Sequence, residues 1–205
     1  MYNIKIMKKL LLFCFALMLS FNIVSQETWD GSTSTDWNTG ANWADGSVPD
    51  SFLIGNISIP DVANDPVMTN INQTLAGSLS IATGATLTLT NSSISQGGTT
   101  DNDGTVILNS GSGFKSNLNV TGDGNFKYNR ELEVADVFYA MGSPVAGQDI
   151  DAFIAAEPIP QSSSNSNMGI GTYNTSSDDY TYIQEGVSNS GSFTPGLGYL
   201  VRVNA

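Results

Sequence analysis

Three tryptophans lie close together near the start of the chain, and aromatic rings of this kind can stack on sugars. Trp29, Trp37 and Trp43 are the chain's only tryptophans, and the residues around them are mostly Gly, Ser, Thr, Asn and Asp. A glycan platform would keep at least two of the rings exposed and coplanar, with neighbouring polar side chains binding sugar hydroxyls. Alternatively, the rings form a packing plug that covers the end of the fold, each removing roughly 150–250 Å² from water. We favour the plug and keep the platform as the alternative.

A second candidate site is acidic. Asp103 and Asp123 are 20 residues apart, and each directly precedes a glycine. If these segments stack as successive turns of a repeat, the two carboxylates would lie about 4.8 Å apart and repel each other. A Ca²⁺ ion would relieve the repulsion, and Asp101 could add a further ligand. Asp-Gly is also favourable turn chemistry without any ion, so calcium at these three aspartates is the only cofactor that we consider.

Catalytic chemistry is restricted by composition. After residue 25 the chain contains no Cys and no His, which excludes thiol nucleophiles, Ser-His-Asp triads and imidazole metal sites. Paired carboxylates alone can hydrolyse glycosides, and the available acids are Asp30, Asp36, Asp45, Asp178 and Asp179. Because no spacing fixes a pair at a working separation, we predict that the protein is not an enzyme.

The first 25 residues predict export. Three lysines precede an apolar run at residues 10–24, and Ser25 supplies a small residue for cleavage. This order is typical of a secretory signal peptide, and the run is shorter than the roughly 20 residues of a membrane-spanning helix. We therefore predict a cleaved signal peptide over residues 1–25, secretion or display at the cell surface, and no membrane insertion afterwards.

The charge of the remaining chain limits its partners. All 19 acidic residues follow the signal segment, and only Lys115, Lys127, Arg130 and Arg202 oppose them, which gives a net charge of −15. Such a surface repels phosphate backbones and anionic lipid head groups, so we predict no binding of nucleic acid. The partners that we consider are extracellular glycans or other surface proteins.

The elements that must position these side chains repeat about every 20 residues. Gly84, Gly104 and Gly124 open the blocks GATLTLTNSS, GTVILNSGSG and GNFKYNRELE, and NDPVMTNINQ stands one interval earlier. Each block leads into a short strand, and a second short strand recurs at 78–81, 93–95 and 117–120. Repeats of this length, rich in Thr, Asn and Gly, predict a β-solenoid, in which each turn buries its apolar residues against its neighbours. A meander sandwich is the alternative.

Beyond residue 131 the strands become longer and more aromatic. Tyr173, Tyr180 and Tyr182 flank a polar turn, which predicts a hairpin. The one helix candidate is 148–157, with Asp149 as its N-cap. The last residues, LVRVNA, have the pattern of a strand, so we expect the sequence to be a fragment of a longer product.

These patterns predict an all-β fold in three parts after the signal peptide. A Trp-rich N-terminal cap occupies residues 26–56, a short solenoid of about 20-residue turns occupies 57–130, and a partial antiparallel β-sandwich-like domain occupies 131–205.

Taken together, the motifs near the start of the chain resemble those of a known class of protein. WDG at 29–31, DW at 36–37, NW at 42–43, Gly46 and Pro49 resemble the start of large exported adhesin-like proteins of the Bacteroidota. In those proteins a short β-solenoid follows the Trp-rich opening.

The later segment, from YNREL through MGSPVAGQDIDAF to FTPGLGYLVRV, is similar to the β domain that follows their solenoid. The resemblance implies surface display by a type IX-like secretion route, although the C-terminal sorting domain usual in such proteins is not in this sequence. It carries over no catalytic residues.

We therefore expect a non-catalytic structural or adhesion module of a larger exported protein. The alternative is a carbohydrate-binding module that uses the three tryptophans.

Overall fold

The computed structural model describes residues 26–50, 52–53, 55–184 and 191–204. The predicted signal peptide lies outside the described residues. The chain divides into two compact units, Met1–Phe126 and Lys127–Ala205. No helix within the described ranges has the length and apolar character needed to cross a bilayer.

The first unit is a β-solenoid, as predicted, and each complete turn contributes one strand to each of three sheets. Parallel pairing joins the strands of successive turns. In spatial order, sheet A contains β1 (Gln26–Thr28), β3 (Asn56–Ile59), β6 (Leu79–Ile81), β9 (Thr100–Asn102) and β12 (Val120–Thr121). Sheet B contains β4 (Val67–Thr69), β7 (Thr86–Thr90), β10 (Thr105–Asn109) and β13 (Asn125–Asn129). Sheet C contains β2 (Phe52–Leu53), β5 (Asn72–Leu75), β8 (Ser93–Gln96) and β11 (Gly113–Ser116).

The structure has three strands in each complete turn, whereas the sequence pattern predicts two. The first strand of each repeat block lies in sheet B, but the recurring second strand is two different strands. Residues 78–81 contribute to sheet A, whereas residues 93–95 contribute to sheet C. The sequence pattern does not separate these two strands, because the number of residues from one partner to the next varies from 19, for Leu87 and Val106, to 22, for Ile57 and Leu79.

Alternation along each strand explains the solenoid core. In β7 the side chains of Leu87 and Leu89 point inward and are fully buried, while Thr86, Thr88 and Thr90 point outward. Burial of one such leucine contributes roughly 1.5–3 kcal/mol. The inward apolar side chains of one turn pack on those of the next, so the apolar interior is continuous along the stack.

A left-handed corner joins sheet B to sheet C in each turn. Asn70, Asn91 and Gly111 occupy this corner in successive turns, with φ angles of 56°, 47° and 84°. Only Gly, and among other residues chiefly Asn and Asp, adopts this conformation at low cost. The Asn91 amide nitrogen donates to the Asn70 amide oxygen at 2.6 Å, so the corner also links neighbouring turns.

The second unit contains a four-stranded antiparallel sheet. Its spatial order is β14 (Phe138–Met141), β17 (Tyr199–Arg202), β15 (Asn167–Asn174) and β16 (Asp179–Gln184). The predicted hairpin is confirmed as β15 and β16, in which Tyr173 pairs directly with Tyr180.

One face of this sheet packs against a helix. Helix α1 (Ile150–Ala156) is the helix that the sequence predicted, and the Asp149 carboxylate caps it by accepting the Ala152 N–H at 2.8 Å. The core of the unit is formed by Ile150, Ile170, Phe193, Tyr199 and Val201. The second layer of this domain is therefore the helix and its adjoining loops.

The close stacking of turns gives a test at two glycines. A Cβ added at Gly104 would lie 2.4 Å from the Ala85 carbonyl oxygen and 2.5 Å from that of Ala82. Because both obstacles are backbone atoms, we expect Gly104→Ala to lower the free energy of unfolding by at least about 1–3 kcal/mol. Urea denaturation would measure the change.

Gly113→Ala is the matched control. Gly113 lies in the same solenoid, at the first position of β11, but an added Cβ there meets nothing within 4 Å. We expect it to change stability by less than about 0.5 kcal/mol. Equal stability of the two variants would contradict the close register of the turns.

Candidate functional site

The Trp-rich segment forms an irregular first turn of the solenoid. Its strand β1 pairs with β3 in sheet A, Asp36 bridges to Val67 in sheet B, and β2 pairs with β5 in sheet C. The backbone N–H of Trp37 donates to the Val67 carbonyl at 3.2 Å, and Val67 donates in turn to Thr35 at 2.7 Å. The segment therefore touches all three sheets at one end of the stack.

Within this turn the chain folds back on itself to bring the tryptophans together. Trp29 and Trp43 form an antiparallel bridge, flanked by a hydrogen bond from the Ala44 N–H to the Thr28 carbonyl at 2.9 Å. Trp43 lies edge-on to both other rings, with centroids 5.2 Å from Trp29 and 4.7 Å from Trp37. Trp29 and Trp37 are nearly parallel, with centroids 6.3 Å apart.

Burial decides between the two interpretations of this cluster. The exposed fraction is 0% for Trp29 and Trp37 and 1% for Trp43, and all three belong to the solenoid core. The alternative of a glycan platform is not supported, because no ring face of the three tryptophans is open to a ligand. The geometry supports the packing plug.

A single asparagine organises the loop that carries the tryptophans. Asn42 is fully buried, and its amide oxygen accepts the backbone N–H groups of Thr33 and Ser34 at 2.9 and 2.8 Å. Its amide nitrogen donates to the Ser34 hydroxyl and to the Asp36 carbonyl, both at 2.9 Å. The hydrogen bonds of the Asn42 side chain thus take the place of the regular strand pairing that this loop does not have.

The aspartates near the tryptophans hold turns. The carboxylates of Asp30, Asp36 and Asp45 each accept the backbone N–H of the residue two positions later, at 2.9, 3.0 and 2.9 Å. In the hairpin turn, Asp179 accepts the Tyr180 N–H at 2.7 Å, and Asp178 accepts the hydroxyl of Tyr173. Each of the acids considered for catalysis therefore has a local structural partner.

The predicted calcium aspartates lie on two successive turns, and the carboxylates of Asp101 and Asp103 each accept a hydrogen bond from the following turn. The Asp103 carboxylate accepts the Asp123 N–H at 3.2 Å, and the Asp101 carboxylate accepts the Thr121 hydroxyl at 3.0 Å. The stacking was predicted correctly, but these donors already stabilise two of the charges. In the described part of the chain, no group of three acidic, His or Cys side chains is arranged to hold a metal ion.

A feature that the sequence did not identify as a site lies on the second unit. We call it the open sheet face, defined by the rings of Phe138, Tyr173, Tyr180 and Tyr182. Phe138, Tyr173 and Tyr180 are 44%, 49% and 41% exposed. Neighbouring centroids are 5.2 Å apart for Tyr173 and Tyr180, and 6.3 Å apart both for Tyr180 and Tyr182 and for Tyr182 and Phe138.

Local sequence positions three of these rings, and long-range pairing positions the fourth. Tyr180 and Tyr182 are two residues apart in β16, so they share a face, and Tyr173 lies directly opposite Tyr180. The alternation around the hairpin turn was a usable signal for those three. Phe138 reaches the row only because β14 pairs with β17 on the other side of β15.

A cleft adjoins the row at its Phe138 end. Its lining includes Phe138, Tyr182, Pro160, Asn167 and Arg202. The Arg202 guanidinium forms an ion pair at 3.0 Å with a neighbouring carboxylate, that of Asp136.

A family model described as a domain of unknown function (DUF8693) matches residues 28–205. No curated protein and no solved structure matches the chain. The family match covers the Trp-rich turn, the solenoid and the antiparallel unit together.

The buried asparagine of the loop gives a test of the plug. We expect Asn42→Ala to lower the free energy of unfolding by at least about 2 kcal/mol, since it leaves the N–H groups of Thr33 and Ser34 without their acceptor. Urea denaturation followed by tryptophan fluorescence would measure this. The control Asn38→Ala removes an exposed amide from the same loop, and equal loss in both variants would contradict the role of Asn42.

The aspartate stack gives a second test. We expect the same melting temperature in millimolar calcium and in excess chelator, because hydrogen bonds from the following turn already stabilise the carboxylates of Asp101 and Asp103. A cation that bound only the folded state would instead raise the melting temperature by mass action. Asp103→Asn keeps an acceptor for the Asp123 N–H and should melt close to the unsubstituted protein. A calcium-dependent increase that Asp103→Asn abolishes would instead establish the ion site.

Proposed function

The chain belongs to the DUF8693 family, whose function is unknown, and we propose that it is a non-catalytic structural and adhesion module of a larger exported protein. The observation that carries this proposal is the solenoid closed at one end by buried tryptophans. Such a unit presents its polar sides to the surroundings and needs no partner to cover the capped end of its core.

Polar contacts between turns support the structural part of the proposal. Side chains at equivalent outward positions bond from one turn to the next, as do Ser78 with Thr99 at 3.0 Å and Asn109 with Thr90 at 3.0 Å. Turns that are joined by backbone pairing, core packing and these side-chain bonds form a stiff stalk.

Export is supported by the sequence. The basic start, the apolar run and Ser25 have the order of a signal peptide, and a net charge of −15 on the remaining chain favours solubility outside the cell. The resemblance to exported adhesin-like proteins of the Bacteroidota agrees with display at the surface by a type IX-like route.

Adhesion needs a surface that can hold a partner. The three tryptophans do not offer one, whereas the open sheet face presents half-exposed rings. This face is therefore the part of the molecule to which we assign contact with other molecules.

Export can be tested with the full chain in a Bacteroidota host. We expect the protein outside the cytoplasm, with a mature N-terminus near Gln26 by mass spectrometry. Leu11→Arg together with Leu12→Arg should block export, because each charge in the apolar run costs about 2.5–3.5 kcal/mol on insertion scales. Thr33→Arg adds charge at an exposed position after the segment and should be exported normally.

Retention of the unprocessed chain in the cytoplasm would contradict the proposal. Equal export of the Leu11/Leu12 double variant would show that residues 1–25 are not the signal.

A further inference from the structure

The open sheet face is the largest group of exposed aromatic rings among the described residues, and its floor is made of glycine. β15 is an inner strand of the sheet, and its Gly169 and Gly171 leave room on this face for the side chains of Pro160 and Tyr182. A Cβ at Gly171 would lie 3.0 Å from Cδ1 of Tyr182, and one at Gly169 would lie 3.0 Å from Cδ of Pro160. The ring of Tyr182 therefore lies directly over Gly171, low on the sheet, where it borders the cleft beside Phe138. We call the row of rings together with this cleft the groove.

Polar groups line both ends of this groove. At one end Asp178 accepts the hydroxyl of Tyr173, and this hydrogen bond raises the pKa of Tyr173 above its ordinary value. At the other end the cleft is lined by Gln161, Ser162 and Asn167, whose amide and hydroxyl groups can both donate and accept hydrogen bonds.

The charges around the groove disfavour an anionic ligand. Asp178 and Asp179 lie at one end, and the guanidinium at the other end, that of Arg202, is neutralised by Asp136 at 3.0 Å. The chain after the signal segment carries a net charge of −15. Nucleic acids and acidic polysaccharides would be repelled.

The size of the apolar surface disfavours a stable protein partner. Each aromatic side chain presents roughly 150–250 Å² in total, and under half of each exposed residue is accessible, so the row offers roughly 200–400 Å². A stable protein interface needs about 800 Å² from each partner, of which about 450 Å² is apolar. A single row of rings is instead wide enough for one sugar ring at each position.

We propose that the open sheet face binds a chain of a neutral polysaccharide. The planes of neighbouring rings are inclined by 40–58°, so the rings do not form one flat platform. Each exposed ring would instead take the C–H face of a separate sugar, and the sugar hydroxyls would bond to the polar groups at the two ends. The inference rests on the proposed adhesion role and adds to it a ligand class and a surface.

The experiment is affinity electrophoresis of the purified full chain in native gels that contain a neutral polysaccharide. Four gels hold mixed-linkage β-glucan, xylan, galactomannan and dextran, and a fifth holds anionic alginate. We expect at least one neutral polymer to retard the protein and alginate not to. Tyr173→Ala with Tyr180→Ala should weaken binding about tenfold for each ring removed, which is the scale of stacking on an aromatic side chain.

Two controls separate stacking from general effects. Phe52→Ala removes an aromatic side chain that is 62% exposed in the first unit, and it should not change the retardation. Tyr180→Phe keeps the ring and should bind nearly as well as the unsubstituted protein. Tyr173 and Tyr180 are chosen over Tyr182 because the ring of Tyr182 covers Gly171, and its loss could unfold the sheet. Circular dichroism and thermal melting would verify the fold of each variant.

The proposal is overturned if none of the four neutral polymers retards the protein, or if the double variant is retarded as strongly as the parent. It is also overturned if the double variant loses only self-association in sedimentation, since the face would then join copies of the chain. Because purified protein is used, failure here leaves the export proposal intact, and failure of export leaves this measurement valid.

Discussion

A single turn of this solenoid cannot bury its own apolar side chains, and the rest of the first unit depends on that constraint. Leu87 and Leu89 are fully buried only because turns lie on both sides of them. Each turn must therefore repeat the inward positions, and backbone atoms of neighbouring turns must approach closely, as they do around Gly104. The left-handed corner at Asn70, Asn91 and Gly111 follows from the same requirement, because the bend between sheet B and sheet C must recur at the equivalent position of successive turns.

The first turn of such a stack has no earlier turn to cover it, and the tryptophans solve this problem. A regular turn buries side chains of leucine size, but the outermost turn must also close the opening. Three indoles, with Trp43 edge-on to the other two, fill more volume than three aliphatic side chains. Asn42 gives their loop the backbone hydrogen bonds that a strand would otherwise receive. The residues around the tryptophans are polar because they form tight turns. The carboxylates of Asp30, Asp36 and Asp45 each close one of these turns.

The sequence predicts those features that depend on neighbours in the chain. Alternation in TLTLT, the repeat near 20 residues, the cap at Asp149 and the hairpin around Asp178 are all local, and all appear in the structure. The number of sheets is not local, because a drifting interval makes strands of different sheets look equivalent.

The candidate site shows the same division. Tyr173, Tyr180 and Tyr182 follow from one hairpin, but Phe138 joins them through strands that are distant in sequence. The burial of the tryptophans does not follow from their spacing in the sequence, because it depends on a loop that folds back from Trp29 to Trp43.

The two units place aromatic side chains in opposite environments for a topological reason. In a solenoid the sheets enclose one interior, so an inward ring is buried and the outward positions are taken by small polar residues that bond between turns. In the antiparallel unit a single sheet has two faces, and the core around helix α1 occupies only one of them. Every second residue of β16 must then face away from that core. Where those residues are tyrosines, and where the inner strand beneath carries glycine, the fold itself leaves rings accessible. We therefore expect ligand recognition on the open sheet face, whereas the tryptophans close one end of the solenoid.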